Sequence, residues 1–498
     1  MKKKDLFKKY KTSEELFKNE SPKVLNQMFP HGKPKTRRQF IKSGLINFTA
    51  AITAPTLIQS LLHPQSAHAQ ACLTKPAFIN LKLNGGAAML GNFVALGANR
   101  DYIDTYSQLG LGPRSEIVNR TVTTFGNALF YDASQFLAGM QQTANATTLL
   151  NTSFVGIPVA STDDTANNPF GITHFVSKLG VQGSILPNLG RRQSEEGIAQ
   201  LPALGRTPPT PLAVNNVNDL TNALSVNGSL AVMSEAQKGQ VFSLINRLSE
   251  RQVASLASQT GGQVLQQLVN DATGTNEQLV NSETAGVDPL QDNAVQGQFN
   301  TTWNDGNNNL NNQNDNNRER VFASMVYNGL KGTAGTVSLE LGGYDYHGNG
   351  RANQDAMDLE AGRIMGQIIE SAAIMQRPLF LMVTSDGAVG APGGSAAGAA
   401  FTSDRGQGGC IYCIAYHPLA RPSAVNRSGA VDHQVGQVRG QAGVDTTFLT
   451  GNSPELAGLA AFANFASFSG QTGQFSSIVG GIWNTDQIEE VIRLRRVG

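Results

Sequence analysis

An α/β fold with a mostly parallel central sheet is what this sequence predicts, and three observations carry the expectation. Short apolar runs of strand length recur at TVSLEL (336–341), LFLMVT (379–384) and IYCIAY (411–416). Stretches with helical spacing, RVFASMVYNGL (320–330) and QDAMDLEAGRIMGQIIESAAIMQ (354–376), precede or separate them, and such alternation favours βαβ units. Finally, the chain of 498 residues can bury a substantial core, as one large domain or as a core domain with insertions.

The N-terminal region reads as an export leader. TRRQFIKSG places Arg37 and Arg38 ahead of Phe40, the pattern of a signal addressed to the twin-arginine translocase. The following run, LINFTAAITAPTLIQSLL (45–62), carries Asn47, Pro55 and Gln59 and is too short and too polar for a membrane span. Small residues in AHAQAC then predict cleavage between Ala69 and Gln70, or after Ala71. The residue three before Cys72 is Ala69 rather than Leu, which argues against lipid attachment there. The expected division is therefore a leader over 1–69 and a single exported α/β domain over 70–498, periplasmic or otherwise outside the cytoplasm.

Thirteen of the 38 Lys and Arg but only four of the 37 Asp and Glu lie in residues 1–69, so the remainder has a net charge of −8. That balance excludes nucleic acid as an expected partner. CIYC, with Cys410 and Cys413, allows a disulfide in an oxidising compartment, and its apolar strand-like setting reads as two buried thiols on alternating faces as readily as redox chemistry.

AFINLKL (77–83) is the first strand of the mature part, and it runs into Asn84-Gly85-Gly86. A second strand is expected within LLNTSFVGIPVA (149–160), and His174 stands near a helix start in THFVSKLG. The region of about 186–320 reads as an insertion. Its first part, rich in Pro, Asn and Gly as far as Leu230, is expected to be a surface excursion. Residues 234–270 show a capping box at Ser234 and Gln237 and apolar helical spacing. The Asn-rich stretch at 300–318 is expected to be a loop that buries no apolar surface. LAGLAAFANFA near the C-terminus reads as helix.

In an open α/β sheet, ligands bind beyond the carboxyl ends of the strands. The strand at 336–341 empties through GGYDYHGN into Asp345 and His347, the one at 379–384 into Ser385-Asp386, and the one at 411–416, through a longer loop, into Asp432-His433. Four of the seven His lie beyond the leader, and two of these four stand beside or one residue from an Asp at such a place. Carboxylate and imidazole are ligands of zinc and similar ions, and such a site polarises a phosphoryl oxygen or acidifies a bound water. The same motifs are also what Asx turns at strand ends look like.

The twin-arginine leader, NGGA, THF, GGYDYHGN before a long helix, TSDG and VDHQVG resemble the DUF1501 family of exported bacterial proteins, grouped with the alkaline phosphatase and sulfatase superfamily. The resemblance implies an alkaline-phosphatase-like three-layer α/β/α fold. It implies zinc or another divalent metal held by Asp345, His347, Asp432, His433 and His174, with Asp386 as a further ligand or a catalytic base, and hydrolysis of phosphate or sulfate esters. The chain departs from the family pattern in two places. Ala87-Ala88-Met89 follow the first double glycine where the family carries an Asp, with Asn84 the nearest neutral substitute, and Gly387-Ala388-Val389 replace the Phe-Gly-Arg expected after the acid. These departures motivate a second expectation, a non-catalytic exported protein that binds a small molecule or an envelope component.

Overall fold

The central strand β1 (Ala77–Leu83) is buried along its whole length, and its alternating side chains feed two different cores: Ile79, Leu81 and Leu83 enter one, Phe78 the other. Such burial on both sides is what a sheet covered on both faces requires, and it takes Asn80 and Lys82 inside as well. In chain order the remaining strands are β2 (Thr121–Val122), β3 (Phe130–Tyr131), β4 (Thr152–Val159), β5 (Leu186–Arg191), β6 (Leu212–Val214), β7 (Ala334–Leu341), β8 (Leu379–Ser385), β9 (Gly409–Tyr416), β10 (Val438–Arg439) and β11 (Gly443–Val444). Seven of them form one sheet in the order β4-β9-β8-β1-β7-β5-β6, while β2-β3 and β10-β11 are small ribbons.

The chain's structure is a computed structural model. It describes residues 75–161, 170–181, 183, 186–191, 211–224, 287–304, 310, 317–346, 351–385, 389–390, 408–439 and 443–497. The leader motif with Arg37, Arg38 and Phe40, the cleavage positions Ala69 and Gln70, Cys72, and the helical stretch expected at 234–270 all lie outside these residues.

β1 pairs in parallel with β7 on one side and β8 on the other, and β5 and β6 extend the parallel run beyond β7. β9 alone is reversed: it runs antiparallel to both β8 and β4. Helices cover both faces. On the first, α1 (Gln135–Thr143), α3 (Arg318–Lys331) and α4 (Arg351–Ile374) contribute Phe136, Val321 and Ile364 to the core. On the second, α2 (Thr173–Lys178), α5 (Pro454–Phe468) and α6 (Thr485–Val491) contribute Phe175, Phe462 and Ile488. The ends of these helices carry sequence-encoded caps. Asn317 accepts from the Arg320 N–H at the start of α3 and Gly332 takes the left-handed conformation at its end; Ser453 and Pro454 open α5.

Two expectations about the 186–320 region change. Residues 186–191 and 212–214 are not a surface excursion but the two strands that finish the sheet, short enough to escape an alternation argument. In the Asn-rich stretch Trp303 and Leu310 are fully buried, Trp303 donating to the Ser371 hydroxyl at 3.0 Å, and Asn317 is the α3 cap. Apolar residues isolated among asparagines carry no periodic signal, yet each buries its full side chain. Cys410 and Cys413 are free thiols, buried in opposite cores as strand alternation requires, and burial raises both pKa values. Among the described residues no helix is long and apolar enough to cross a membrane.

The strand β4 lies at the sheet edge with Pro158 in it, where a missing N–H is tolerated. Its outer side is taken up by residues 433–435: the Gly156 N–H donates to the His433 carbonyl at 2.9 Å, and the Val435 N–H to the Gly156 carbonyl at 2.9 Å.

Helices α1 and α4 meet backbone to backbone. A Cβ added at Gly362 would stand 2.3 Å from the Phe136 carbonyl oxygen, and one at Gly139 2.4 Å from that of Leu359. Neither partner atom belongs to a side chain that can swing away. Gly362→Ala is therefore expected to destabilise the fold by about 2 to 3 kcal/mol, the usual cost of overpacking. Urea unfolding measures it, and an unchanged midpoint would show that the two helices part at little cost.

Candidate functional site

The carboxyl ends of β8, β1 and β7 lie side by side, and the loops that leave them are stitched together. The Asn84 N–H donates to the Leu341 carbonyl at 2.8 Å, the Tyr344 N–H to the Asn84 carbonyl at 3.0 Å, and the Tyr346 N–H to the Gly86 carbonyl at 3.3 Å. From the other side, the Ser385 hydroxyl donates to the Gly85 carbonyl at 2.6 Å and accepts from the Ala87 N–H at 2.8 Å. Glycine is required at 85. Its φ is +105°, and a Cβ there would stand 2.3 Å from the Asp345 amide nitrogen.

This geometry explains GGYDYHGN. Gly343, at φ +93°, turns the chain off β7; Tyr344 and Tyr346 then point inward and are buried, and Asp345 between them is exposed. The Tyr344 hydroxyl donates to the Met357 carbonyl at 3.0 Å and the Tyr346 hydroxyl to Asp358 at 2.7 Å. The loop is thus anchored to α4, with one carboxylate left at the mouth of the sheet. Asn84 stands beside it, and its side-chain oxygen is buried with no hydrogen-bond partner among the described residues. His347 and Asp386, the next chemical groups along two of these loops, lie outside the described residues.

Asp432 and His433 are placed elsewhere, and the reversal of β9 is the reason. Tyr416, at the carboxyl end of β9, pairs with Thr152 and Leu379 at the amino ends of β4 and β8, so the chain leaves the sheet at the end opposite the mouth. It returns along the β4 edge. There Asp432 is gripped by two guanidinium groups: Arg100 Nε and Nη2 donate to its two oxygens at 2.9 and 2.7 Å, and Arg493 Nε to one of them at 2.8 Å. His433 Nδ1 stands 2.6 Å from the Phe154 carbonyl, which can only accept, so this nitrogen carries the proton; Nε2 accepts from the Asn127 N–H at 3.2 Å. Burial lowers the His433 pKa, against the pull of the Phe154 carbonyl and Asp432, and the ring is neutral with both nitrogens in use.

His174 is the second residue of α2, whose Phe175 and Val176 enter the second core, whereas Tyr344 and Tyr346 belong to the first. His417 accepts from the Leu419 N–H at 3.3 Å through Nδ1 and serves a turn. Among the described residues no group of three or more His, Cys, Asp or Glu could hold a metal ion. The donor set expected for zinc therefore does not assemble from its described members. Asp432 and His433 are bonded into the fold, and Asp345 stands apart from both.

Reading the sequence missed the buried polar groups that support the mouth. Asp358, wholly inside, accepts from Tyr346, from the Asn92 amide at 2.7 Å and from the Gln354 amide at 3.0 Å. Burial raises its pKa from 3.8 to about 6, and the three hydrogen bonds only moderate the rise. Helical spacing offered a signal, since Arg351, Gln354 and Asp358 fall on the same stripe of α4 as the buried Ala361 and Met365. Lys82, buried in β1, fell on the polar side of an alternation that the double-sided sheet does not respect.

Two measurements follow from these contacts. A carboxyl whose folded pKa is raised contributes stability below the unfolded value and loses it as the pH climbs through the folded one. The stability deficit of Asp358→Asn relative to the parent is therefore expected to shrink between pH 4 and pH 7, by about 3 kcal/mol for a shift of about two units. A pH-independent deficit in urea unfolding would place the ionised form of Asp358 at no disadvantage in the fold. Asp432→Ala, which leaves Arg493 buried without its anion, is expected to cost about 3 to 5 kcal/mol in the same assay.

Comparison with family models, with curated proteins and with solved structures finds no match to this chain.

Proposed function

We propose that the chain is exported by the twin-arginine translocase and acts outside the cytoplasm as a ligand-binding protein on an alkaline-phosphatase-like three-layer frame, with the metal chemistry of the resembled family reduced. The observation that carries this reading is the commitment of Asp432 and His433 to hydrogen bonds that hold the β4 edge. A residue that ligates a metal must present a lone pair, and neither ring nitrogen of His433 has one to spare. The mouth of β8, β1 and β7 is the binding place in this reading. There the Asn84 oxygen, buried without a partner among the described residues, is an acceptor for a ligand's donor, and the exposed Asp345 carboxylate adds a charge. A small molecule or an envelope component carrying an N–H or a cationic group suits that pair.

A second reading, a metal-dependent hydrolase of phosphate or sulfate esters, is favoured by the convergence of the carboxyl ends of β8, β1 and β7 at the mouth where Asp345 is exposed, since His347 and Asp386 follow two of those strands in the sequence. Zinc or another divalent ion would then rest on those residues alone.

Metal content and ester hydrolysis, measured on the chain from Gln70 onward purified without chelator, separate the two. The binding reading expects no stoichiometric zinc or manganese, and hydrolysis of p-nitrophenyl phosphate and sulfate no faster than with Asp345→Ala, His347→Ala. Bound metal and turnover, both lost in that double variant, would replace it with the hydrolase.

A further inference from the structure

Away from the mouth, at the β4 edge, Arg100, Asp432 and Arg493 form part of the wall of a cleft of about 400 Å³ that Arg427, Glu490 and Phe448 also line. Three guanidinium groups thus line the cleft with the carboxylates of Asp432 and Glu490, and Asp486 pairs with Arg427 at the rim. Their donors are unevenly spent. Asp432 already serves both Arg100 and Arg493, and Arg100 spends its remaining nitrogen on the Gly436 carbonyl at 2.7 Å. Arg493, 4% exposed, gives Nε to Asp432 and the Gln434 carbonyl and Nη1 to the carbonyls of Glu490 and Ile492, while Nη2 has no partner among the described residues. Arg427, at the rim, holds Asp486 alone among the described residues, through one nitrogen, in an ion pair exposed on both sides and correspondingly weak.

The wall is also fixed. Asn99 and Arg100 are consecutive non-glycine residues in left-handed backbone, at φ 56° and 61°, and the Arg100 side chain is held there by hydrogen bonds to Asp432, Gln434 and Gly436. Preformed guanidinium donors beside an apolar ring match the oxyanion end of a small organic molecule, since an oxyanion accepts without needing a proton in return. We propose that this cleft is a binding site for a small oxyanion, the carboxylate or phosphate end of a ligand, held between Arg493 and Arg427 with its organic part against Phe448. The site is separate from the mouth of the sheet and stands whether or not the mouth binds a ligand or a metal.

The test is calorimetric titration of the chain at low ionic strength with inorganic phosphate and, separately, with succinate. Saturable binding at one site is expected for at least one of them, and which one binds decides between the phosphate and carboxylate sources. Arg427 is exposed and its polar contact among the described residues is the exposed pair with Asp486, so Arg427→Ala is expected to keep the fold and to weaken binding about tenfold, the worth of one charge-assisted hydrogen bond. Asp486→Asn, which frees Arg427, is expected to tighten it. Arg114→Ala removes an equal charge from another exposed pair and is expected to leave the affinity unchanged. No saturable binding of either anion, equal binding by Arg427→Ala, or equal weakening by Arg114→Ala would each overturn the proposal.

Discussion

The contact between Gly85 and the backbone of Asp345 is the constraint on which the mouth of this sheet depends. Two loops that leave neighbouring strands can continue the strands' hydrogen bonding only if their backbones stay at ladder distance, and a side chain at 85 would force them apart. From that closeness the rest follows. The loop after β7 turns its two tyrosines inward to α4, and the intervening Asp345 is exposed. Buried Asp358 tolerates its position because three donors converge on it, one of them a tyrosine of that loop. A change at Gly85 would thus be felt at Asp358, through Tyr346.

The polarity of a single strand separates chemistry that the chain order places in series. Three loops follow three strands, and each carries an acid. Because β9 runs against its neighbours, the third loop begins at the far end of the sheet, and its Asp-His pair arrives along the β4 side instead of at the mouth. There the pair does structural work: a carboxylate between two arginines and a neutral imidazole between a carbonyl and an amide tie residues 432–435 to β4. Strand direction leaves no mark in a sequence of apolar residues, so the expectation that all three acids share one site could not have been corrected from the residues alone.

What was legible follows the same physics. Ala77–Leu83 was readable to the residue, because a fully buried strand between turn residues is a local pattern, and the helices around 318–331 and 351–374 were readable to within a few residues from apolar spacing and caps. The strands at 186–191 and 212–214 were not: one is six residues with a proline and a glycine, the other three residues, and pairing of the first with β7 and of the second with the first makes them strands. The inward turn of Tyr344 and Tyr346 was equally hidden, since it depends on α4 passing beneath the loop. The arginine grip on Asp432 joins residues more than 300 positions apart on one side and 61 on the other, beyond the reach of any spacing argument.

The covering of β4 bears on how this chain keeps to itself. An uncovered edge strand offers a row of amides and carbonyls to any passing segment of similar kind, and β4 is apolar enough to pair well. Residues 433–435 occupy part of that row, and the opposite edge, β6, is only three residues long. The tape over β4 is fastened by the arginine ion pairs of Asp432, by the hydrogen bonds of His433 and by the burial of Val435. Loss of the Asp432 ion pairs would therefore loosen the cover on a pairing edge while the two cores still stand, leading to self-association of molecules that are still largely folded.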